Sequence, residues 1–314
     1  GILSNIGPGM ILAGSIVGSG ELIATTRTGA EAHFDFLWLI IIGCVVKVFA
    51  QIELGRHAIT NGKTSLAAVN EIPGPRFRIP IGRRIFEANW FLLFWSVMFV
   101  AVLAQQGGIV GGVGQALAIS LPLTEEGAER NHYVSKKIAI ELAEEENDII
   151  QIAQLKKELS LLGNPPDSKD DIYWALIITV LTILLLIIGK FSLIEKFSII
   201  LVASFTFITI VNLFALQSHE AWAVQPEEVI RGLSFGFPEI KNGNNPLITA
   251  ISTFGIIGVG AAELLAYPYW CIEKGYGKYV GPWEDNETWL KRAKGWMTVM
   301  KWDAWGAMVV YTFC

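Results

Sequence analysis

The chain has 314 residues, of which 52% are hydrophobic and only 17% are charged, and its mean hydropathy is +0.46. Soluble domains are about 25% charged, so this composition excludes an ordinary soluble protein. The net charge of −5 leaves no basic surface for nucleic acid, and we expect no nucleic-acid partner.

Seven segments, numbered 1 to 7, hold most of the hydrophobic residues and are almost free of charge. Apolar blocks of about 18 residues or more can cross the hydrocarbon core of a lipid bilayer. We therefore predict an all-α, multi-pass integral membrane protein. Because the chain begins and ends inside apolar segments, we expect a fragment of about seven transmembrane helices, with the last truncated and further helices after residue 314. The segments are Ile6–Thr26, Phe36–Leu54, Asn89–Leu121, Ile172–Ile188, Leu193–Leu216, Pro246–Cys271 and Met297–Cys314.

Segment 1 carries a carboxylate where the bilayer should be. Glu21 follows Gly18, Ser19 and Gly20, and two glycines so close together weaken a helix. Gly14 and Gly18 also form a G-x-x-x-G pair, which is typical of close helix packing, but packing does not explain the charge. Because a charge inside a membrane is costly and usually functional, we predict a helix break and a substrate or ion site at Gly18, Ser19, Gly20 and Glu21.

Segments 2 and 3 contain further polar residues. Lys47 lies in the middle of segment 2; it either pairs with Glu21 or Glu263, acts as an internal surrogate cation, or extends its ammonium group to the membrane interface. Gln105 and Gln106 in segment 3 precede a run of closely spaced glycines. That run favours tight helix contact, and the two glutamines remain candidates to line a pathway.

A long polar stretch, residues 123–171, separates segments 3 and 4. Its apolar residues recur mostly at helical spacing, and Gly163-Asn164-Pro165-Pro166 is a stop signal. We expect one amphipathic helix, or two short ones, outside the membrane, as a solvated lid or insert. The predicted organisation is therefore segments 1–3 in residues 1–122, the extracytoplasmic insert in 123–171, and segments 4–7 in 172–314.

Alternate loops are rich in basic residues, whereas acidic residues predominate in the remaining loops. Cytoplasmic loops carry an excess of Lys and Arg, so this alternation agrees with seven crossings and places the basic loops in the cytoplasm. We expect the cytoplasmic membrane of a prokaryote. The basic loops are those after segments 2 and 6 and the turn between segments 4 and 5, with Arg56, Lys63, Arg76, Arg78, Arg83, Arg84, Lys190, Lys196, Lys274, Lys278, Lys291, Arg292 and Lys294.

The motif of segment 1 returns in segment 6. V-G-S-G-E-L-I-A at Val17–Ala24 is echoed 242 positions later by V-G-A-A-E-L-L-A at Val259–Ala266. A motif repeated in two halves of a membrane chain, beside helix-weakening glycines, is a sequence pointer to a transporter's binding site. Together with Pro268, the glycines predict a second helix break. We therefore add Val259, Ala262 and Glu263 to the candidate substrate or ion site.

The two carboxylates suggest what the site binds. If a pseudo-two-fold axis relates the halves, Glu21 and Glu263 approach one another near the middle of the bilayer. Two neighbouring carboxylates repel unless a proton or cation lies between them, and oxygen ligands suit a hard divalent cation. We predict Glu21 and Glu263 as ligands of a divalent cation that is the substrate.

Enzymatic activity is not expected, because the chain has no P-loop and no H-E-x-x-H motif. We expect no resident cofactor. A different class, a non-transporting sensor or scaffold whose outer helical insert binds a partner protein, is the remaining alternative to a transporter.

Several motifs resemble those of the NRAMP family of divalent-metal transporters. The resemblance covers essentially the whole chain except the outer insert, and it implies a leucine-transporter-type bundle. In that fold two five-helix repeats are inverted relative to each other, and helices 1 and 6 are broken at the metal site. The similar stretches are Gly7-Pro8-Gly9, Thr28-Gly29-Ala30, Leu37-Trp38, Gly62-Lys63 and Gly255-Ile256-Ile257-Gly258.

The family's metal-binding motifs are altered in this chain. D-P-G-N of the first helix falls on Gly18-Ser19-Gly20-Glu21, and M-P-H of the sixth falls on Ala262-Glu263-Leu264. The soft methionine sulfur, which favours transition metals, is therefore absent. The resemblance implies a secondary transporter that moves divalent cations by alternating access, and an all-oxygen site favours Mg²⁺ or Mn²⁺.

A second resemblance gives an alternative substrate. Gly18-Ser19-Gly20 is similar to the G-S-G of amino-acid, polyamine and organocation carriers of the same fold. Backbone amides of that motif hold a substrate carboxylate. An amino-acid or amine transporter is therefore the alternative function.

Overall fold

A computed structural model of the chain describes residues 6–17, 25–145, 149–218, 223–238 and 245–313. Most of these residues are helical, and one short β-hairpin interrupts the helices. The elements in chain order are α1 Pro8–Ile16, α2 Thr26–Ala32, α3 Leu37–Asn61, α4 Ser65–Val69, β1 Arg76–Ile81, β2 Arg84–Asn89, α5 Trp90–Ser120, α6 Glu125–Glu145, α7 Ile149–Leu162, α8 Asp170–Ile188, α9 Phe191–Leu216, α10 Pro226–Gly232, α11 Pro246–Ile256, α12 Ala261–Glu273, α13 Tyr276–Val280 and α14 Glu287–Phe313.

Five stretches of the described chain are long and apolar enough to cross a membrane: α3, α5, α8, α9 and the combined span of α11 and α12. They correspond to segments 2 to 6, and they agree with a multi-pass membrane protein. Segment 1 covers α1 and ends at the first residue of α2, and residues 18–24 between these helices lie outside the described residues. Segment 7 is the C-terminal part of α14, which is not among the five.

The chain divides into two compact units, Gly1–Val100 with Gly189–Cys314, and Ala101–Ile188. The first unit has a core formed by α1, α3, α12 and α14. Small and aromatic side chains fill it, and glycines let the helices approach closely. The fully buried core residues include Leu12, Ala13, Val48, Tyr267, Cys271, Met300 and Ala304.

The second unit contains the predicted insert as two helices, which agrees with the helical spacing. α7 ends at Leu162, and the following Gly163 has a φ of +72°, so the stop signal is confirmed. Asp170, at the start of α8, is buried and accepts hydrogen bonds from the backbone N–H of Leu123 and from the backbone N–H and hydroxyl of Thr124. This carboxylate therefore ties the beginning of α8 to the beginning of α6.

The β-hairpin was not predicted and corrects the all-α expectation in one place. β1 and β2 pair antiparallel, from Arg76 opposite Asn89 to Ile81 opposite Arg84. Gly82 turns the chain with a φ of +59°, as the first position of a glycine-led hairpin turn requires. The hairpin occupies the basic loop between segments 2 and 3.

Candidate functional site at the break between α11 and α12

The predicted break in segment 6 lies between Ile256 and Ala261. Ile257 is extended, and Gly258 is left-handed with a φ of +66°. A Cβ at Gly258 would lie 3.2 Å from Cys44 Sγ and 3.4 Å from its Cα, so glycine allows both the turn and the close approach of α3. Inside a membrane such freed backbone is tolerated only where protein or a watery cavity satisfies it.

Lys47 of α3 supplies part of that satisfaction. Its ammonium group donates to the carbonyls of Ile257 at 2.5 Å and Gly255 at 3.4 Å, and it lies 5.6 Å from the centre of the Phe254 ring. The last carbonyls of a helix have no partner within it, and a cation there also complements the helix dipole. Lys47 thus places its ammonium group on main-chain carbonyls at the break.

Glu263 is the third residue of α12, and Gly260 is the N-cap. A Cβ added to Gly260 would lie 2.5 Å from Oε2 of Glu263, so the carboxylate folds back over the start of its own helix. An anion at this position is favoured by the helix dipole. Among the other residues proposed here, Ala262 is half-buried, whereas the Val259 side chain is buried in the core and can offer a ligand only its main-chain atoms.

The remaining predicted site residues of segment 1, Gly18, Ser19, Gly20 and Glu21, lie outside the described residues. The structure does describe the helices on either side of this stretch, α1 and α2. α1 contacts α12, and α2 contacts α11. The hydroxyls of Thr28 and Thr253 are 2.6 Å apart, and Thr249 donates to Glu31 at 2.7 Å. Both sides of the 18–24 stretch are therefore held beside both sides of the 257–260 break.

Gln51 lies one helical turn after Lys47 and is fully buried in α3. Neither its amide oxygen nor its amide nitrogen has a hydrogen-bond partner within the described residues. A buried, unsatisfied amide costs about 1–3 kcal/mol and calls for an explanation. Its spacing of four from Lys47 places both on one helix face, and that spacing is the sequence signal that could have added Gln51 to the site.

Asp303 of α14 was missed by the sequence analysis. It is fully buried and accepts hydrogen bonds from the backbone N–H groups of Gly7 at 2.9 Å and Gly9 at 2.6 Å, and from the Tyr267 hydroxyl at 3.0 Å. It therefore satisfies the N-terminus of α1 and joins that helix to α12. The available signal was that Asp303 is the one carboxylate of segment 7.

An ion pair flanks the same end of α1. Lys274, which follows α12, donates to Glu195 of α9 at 2.5 Å, and both side chains are largely buried. A Cβ at Gly7 would collide with Glu195 Oε1. The G-P-G stretch thus has a structural reason for its first glycine, because the chain must pass directly against this pair.

Gln105 and Gln106 belong to α5 and are exposed. At Gly107, Gly108, Gly111 and Gly112, an added Cβ would meet nothing within 4 Å. The tight helix contact predicted for this run is therefore not found among the described residues. Gly14 does pack closely, since a Cβ there would lie 3.3 Å from Val202 and 3.4 Å from Ser198 of α9, as the packing interpretation of that glycine expects.

The described residues contain no group of three or more His, Cys, Asp or Glu side chains that could hold a metal ion. Comparison of the chain with protein-family models, with curated proteins and with solved structures finds no match. The functional conclusion therefore depends on the residues and geometry of the break itself.

Proposed function

We propose that the protein is a secondary transporter that moves divalent cations of the Mg²⁺ or Mn²⁺ class across the membrane by alternating access. The observation that carries the proposal is the interruption of an apolar 28-residue span, Pro246–Glu273, at residues 257–260, with Glu263 beside the break. Broken helices whose ends face an interior site are a recurring feature of secondary transporters.

The contacts of the helices on either side of residues 18–24 support a leucine-transporter-type fold. In such a bundle, helices 1 and 6 run antiparallel, and their breaks lie at the same depth. The contacts of α1 with α12 and of α2 with α11 are those that this arrangement requires. The resemblance of the chain to NRAMP transporters implies the same fold, with the cargo site at residues 18–21 and 259–263.

The chemistry of the site favours a hard cation. Glu21 and Glu263 would supply carboxylate oxygens, the freed carbonyls of the break would supply neutral ones, and Mg²⁺ and Mn²⁺ prefer oxygen ligands. Lys47 already contacts two of those carbonyls. In this proposal its ammonium group stabilises the empty site and competes with the cargo, so that the ion is released readily.

The test is uptake of Mg²⁺ and Mn²⁺ into proteoliposomes that contain the full-length protein. We expect Glu21→Gln and Glu263→Gln to lose uptake, because each removes a charged ligand. Glu273→Gln is the matched control, since Glu273 is exposed at the other end of α12 and should leave uptake unchanged. Absence of divalent binding by isothermal titration of folded protein would contradict the proposal.

An amino-acid or amine carrier is the second candidate, and Lys47 is the observation that favours it. A fixed ammonium group on the break repels a metal ion but attracts a carboxylate, and the start of α12 offers free N–H groups to the same anion. Folded protein that transports neither ion but does transport an amino acid would establish this alternative. If Glu21→Gln and Glu263→Gln change nothing beyond stability, a scaffold or sensor is favoured instead.

A further inference from the structure

The β-hairpin between α4 and α5 is held in a fixed position by two asparagines. Asn89 is fully buried; its side chain donates to the carbonyls of Val69 at 2.6 Å and Ile72 at 3.2 Å. Its amide oxygen accepts from the N–H of Leu92 at 2.8 Å, which caps α5. Asn70 accepts from the Asn89 N–H and donates to the Glu87 carbonyl. The base of the hairpin therefore cannot move independently of α4 and α5.

The body of the hairpin, in contrast, presents apolar residues to its surroundings. The register puts Phe77, Ile79, Phe86 and Ala88 on one face, because directly opposed residues point to the same side. Phe77 is 45% exposed and Phe86 is 49% exposed. The sheet has only these two strands in the described chain. Since a two-stranded hairpin is marginal in water without a surface to pack on, something is expected to cover this face.

The charges of the hairpin indicate what covers it. Residues 76–89 contain four arginines and one glutamate, which gives a net charge of +3. Arg78 pairs with Glu87 across the strands at 3.2 Å. No ion pair involves Arg83 or Arg84 within the described residues, and both are exposed at the turn. Two arginine side chains beside exposed phenylalanines are suited to an anionic surface with an apolar layer beneath it.

The position of the hairpin supplies the third argument. β2 ends at Asn89, and the membrane-spanning α5 starts at Trp90 with no linker. Trp90 is exposed, and tryptophans at helix ends mark the membrane interface. The hairpin also lies in a loop that the charge distribution assigns to the cytoplasmic side, where the leaflet is anionic.

We propose that the β-hairpin docks on the leaflet at the basic side of the membrane and binds the headgroups of anionic phospholipids. Arg83 and Arg84 contact the phosphates, and Phe77 and Phe86 enter the boundary between headgroups and acyl chains. Because Asn89 couples the hairpin to α5 and α4, the lipid fixes the position of both helices. This inference does not depend on the cargo that the protein carries.

The test is hydrogen exchange of the full-length protein in nanodiscs of phosphatidylcholine alone or with added phosphatidylglycerol. We expect phosphatidylglycerol to slow exchange of the amides in residues 76–89. Each arginine near an anionic surface contributes about fivefold in binding, so Arg83→Gln with Arg84→Gln should weaken the lipid effect by about 30-fold. Phe77→Ser with Phe86→Ser should abolish it by removing the apolar contact.

A matched control changes two exposed cations elsewhere. Lys156→Gln with Lys157→Gln on α7 alters the charge equally and should leave hairpin exchange in phosphatidylglycerol as in the unmodified protein. Equal exchange rates with and without phosphatidylglycerol would overturn the proposal, as would lipid protection that survives the double arginine substitution. Protection in detergent that grows with protein concentration, without anionic lipid, would assign the face to a second copy of the chain and also overturn it.

Discussion

Two pairs of apolar helices in this protein have similar lengths but opposite surroundings. In α3 and in the combined span of α11 and α12, 28% of the residues in the apolar window are buried, whereas the values are 6% for α9 and 0% for α8. The first pair contains Lys47, Gln51 and Glu263, whereas α8 has no charged residue after Asp171. The more buried pair also has the lower mean hydropathy, 2.0 and 1.7 against 2.5 for both α8 and α9, so the helices that protein surrounds are the more polar ones in this comparison.

Removal of a buried polar group from the core around α3 and α12 should have the largest effect on stability. We expect Asp303→Ala to lower the free energy of unfolding by about 3–5 kcal/mol, because two backbone N–H groups and a tyrosine hydroxyl lose a charged acceptor inside the core. Unfolding by SDS in bicelles measures the change. Tyr267→Phe removes only one donor and should cost about 1 kcal/mol; equal effects of both variants would show that the carboxylate is not the centre of the network.

Substitution of Lys47 should have an intermediate effect. Lys47→Met keeps the length of the side chain but leaves the carbonyls of Gly255 and Ile257 without their donor, at a cost of about 1–3 kcal/mol. The same unfolding measurement applies. Lys291→Met, at an exposed position near the start of α14, is the control and should change stability by less than about 0.5 kcal/mol. A Lys47 variant as stable as this control would mean that water satisfies the break equally well.

The insert should respond weakly to acid. A hydrogen bond from Lys136 of α6 lowers the pKa of Glu158 on α7 below its usual value of 4.5. A lowered folded-state pKa contributes stability above the unfolded value, and that contribution is lost as the pH falls through the folded value. Amide exchange in α7, corrected for intrinsic rates, should accelerate slightly below about pH 4.5. Glu158→Gln should remove this dependence, and a variant that retained it would assign the effect to another group.

The exposed surface of α8 should tolerate shortening of a side chain. Ile187 of α8 is 76% exposed, so Ile187→Ala leaves no cavity within the protein and should change the free energy of unfolding by less than about 0.5 kcal/mol. Val48→Ala on the buried face of α3 is the matched comparison and should cost more, since it opens a cavity. A large effect at Ile187 would show that another part of the protein covers α8.

Much of the helical fold could be predicted from apolar block length, because the bilayer sets that length directly. The break at Gly258 could also be predicted from the sequence, since two glycines and a repeated motif marked it. The hairpin was not predicted, because its four arginines were interpreted only as the mark of a basic loop. The alternation of Arg76, Phe77, Arg78 and Ile79 ahead of the turn at Gly82 was nevertheless a strand signal.

The polar contacts of the site were harder to predict from the sequence than its location. A carboxylate partner was considered for Lys47, but the contacts described lead to main-chain carbonyls, which every residue possesses and no sequence pattern distinguishes. Asp303 meets Gly7 and Gly9 only because α14 packs against α1. Such pairings depend on tertiary packing, which local periodicity does not contain.

The hydrogen bond from Gly9 to Asp303 also has a consequence for the order of events during biosynthesis. The two residues are 294 positions apart, so the first helix enters the membrane long before the carboxylate that receives its N-terminus has been made. At about 5–20 residues per second, the ribosome needs roughly 15–60 s to cover that distance. Throughout this interval the start of α1 depends on water, lipid headgroups or the insertion machinery for its hydrogen bonds. Synthesis of segment 7 is therefore the event that allows segment 1 to reach its final place.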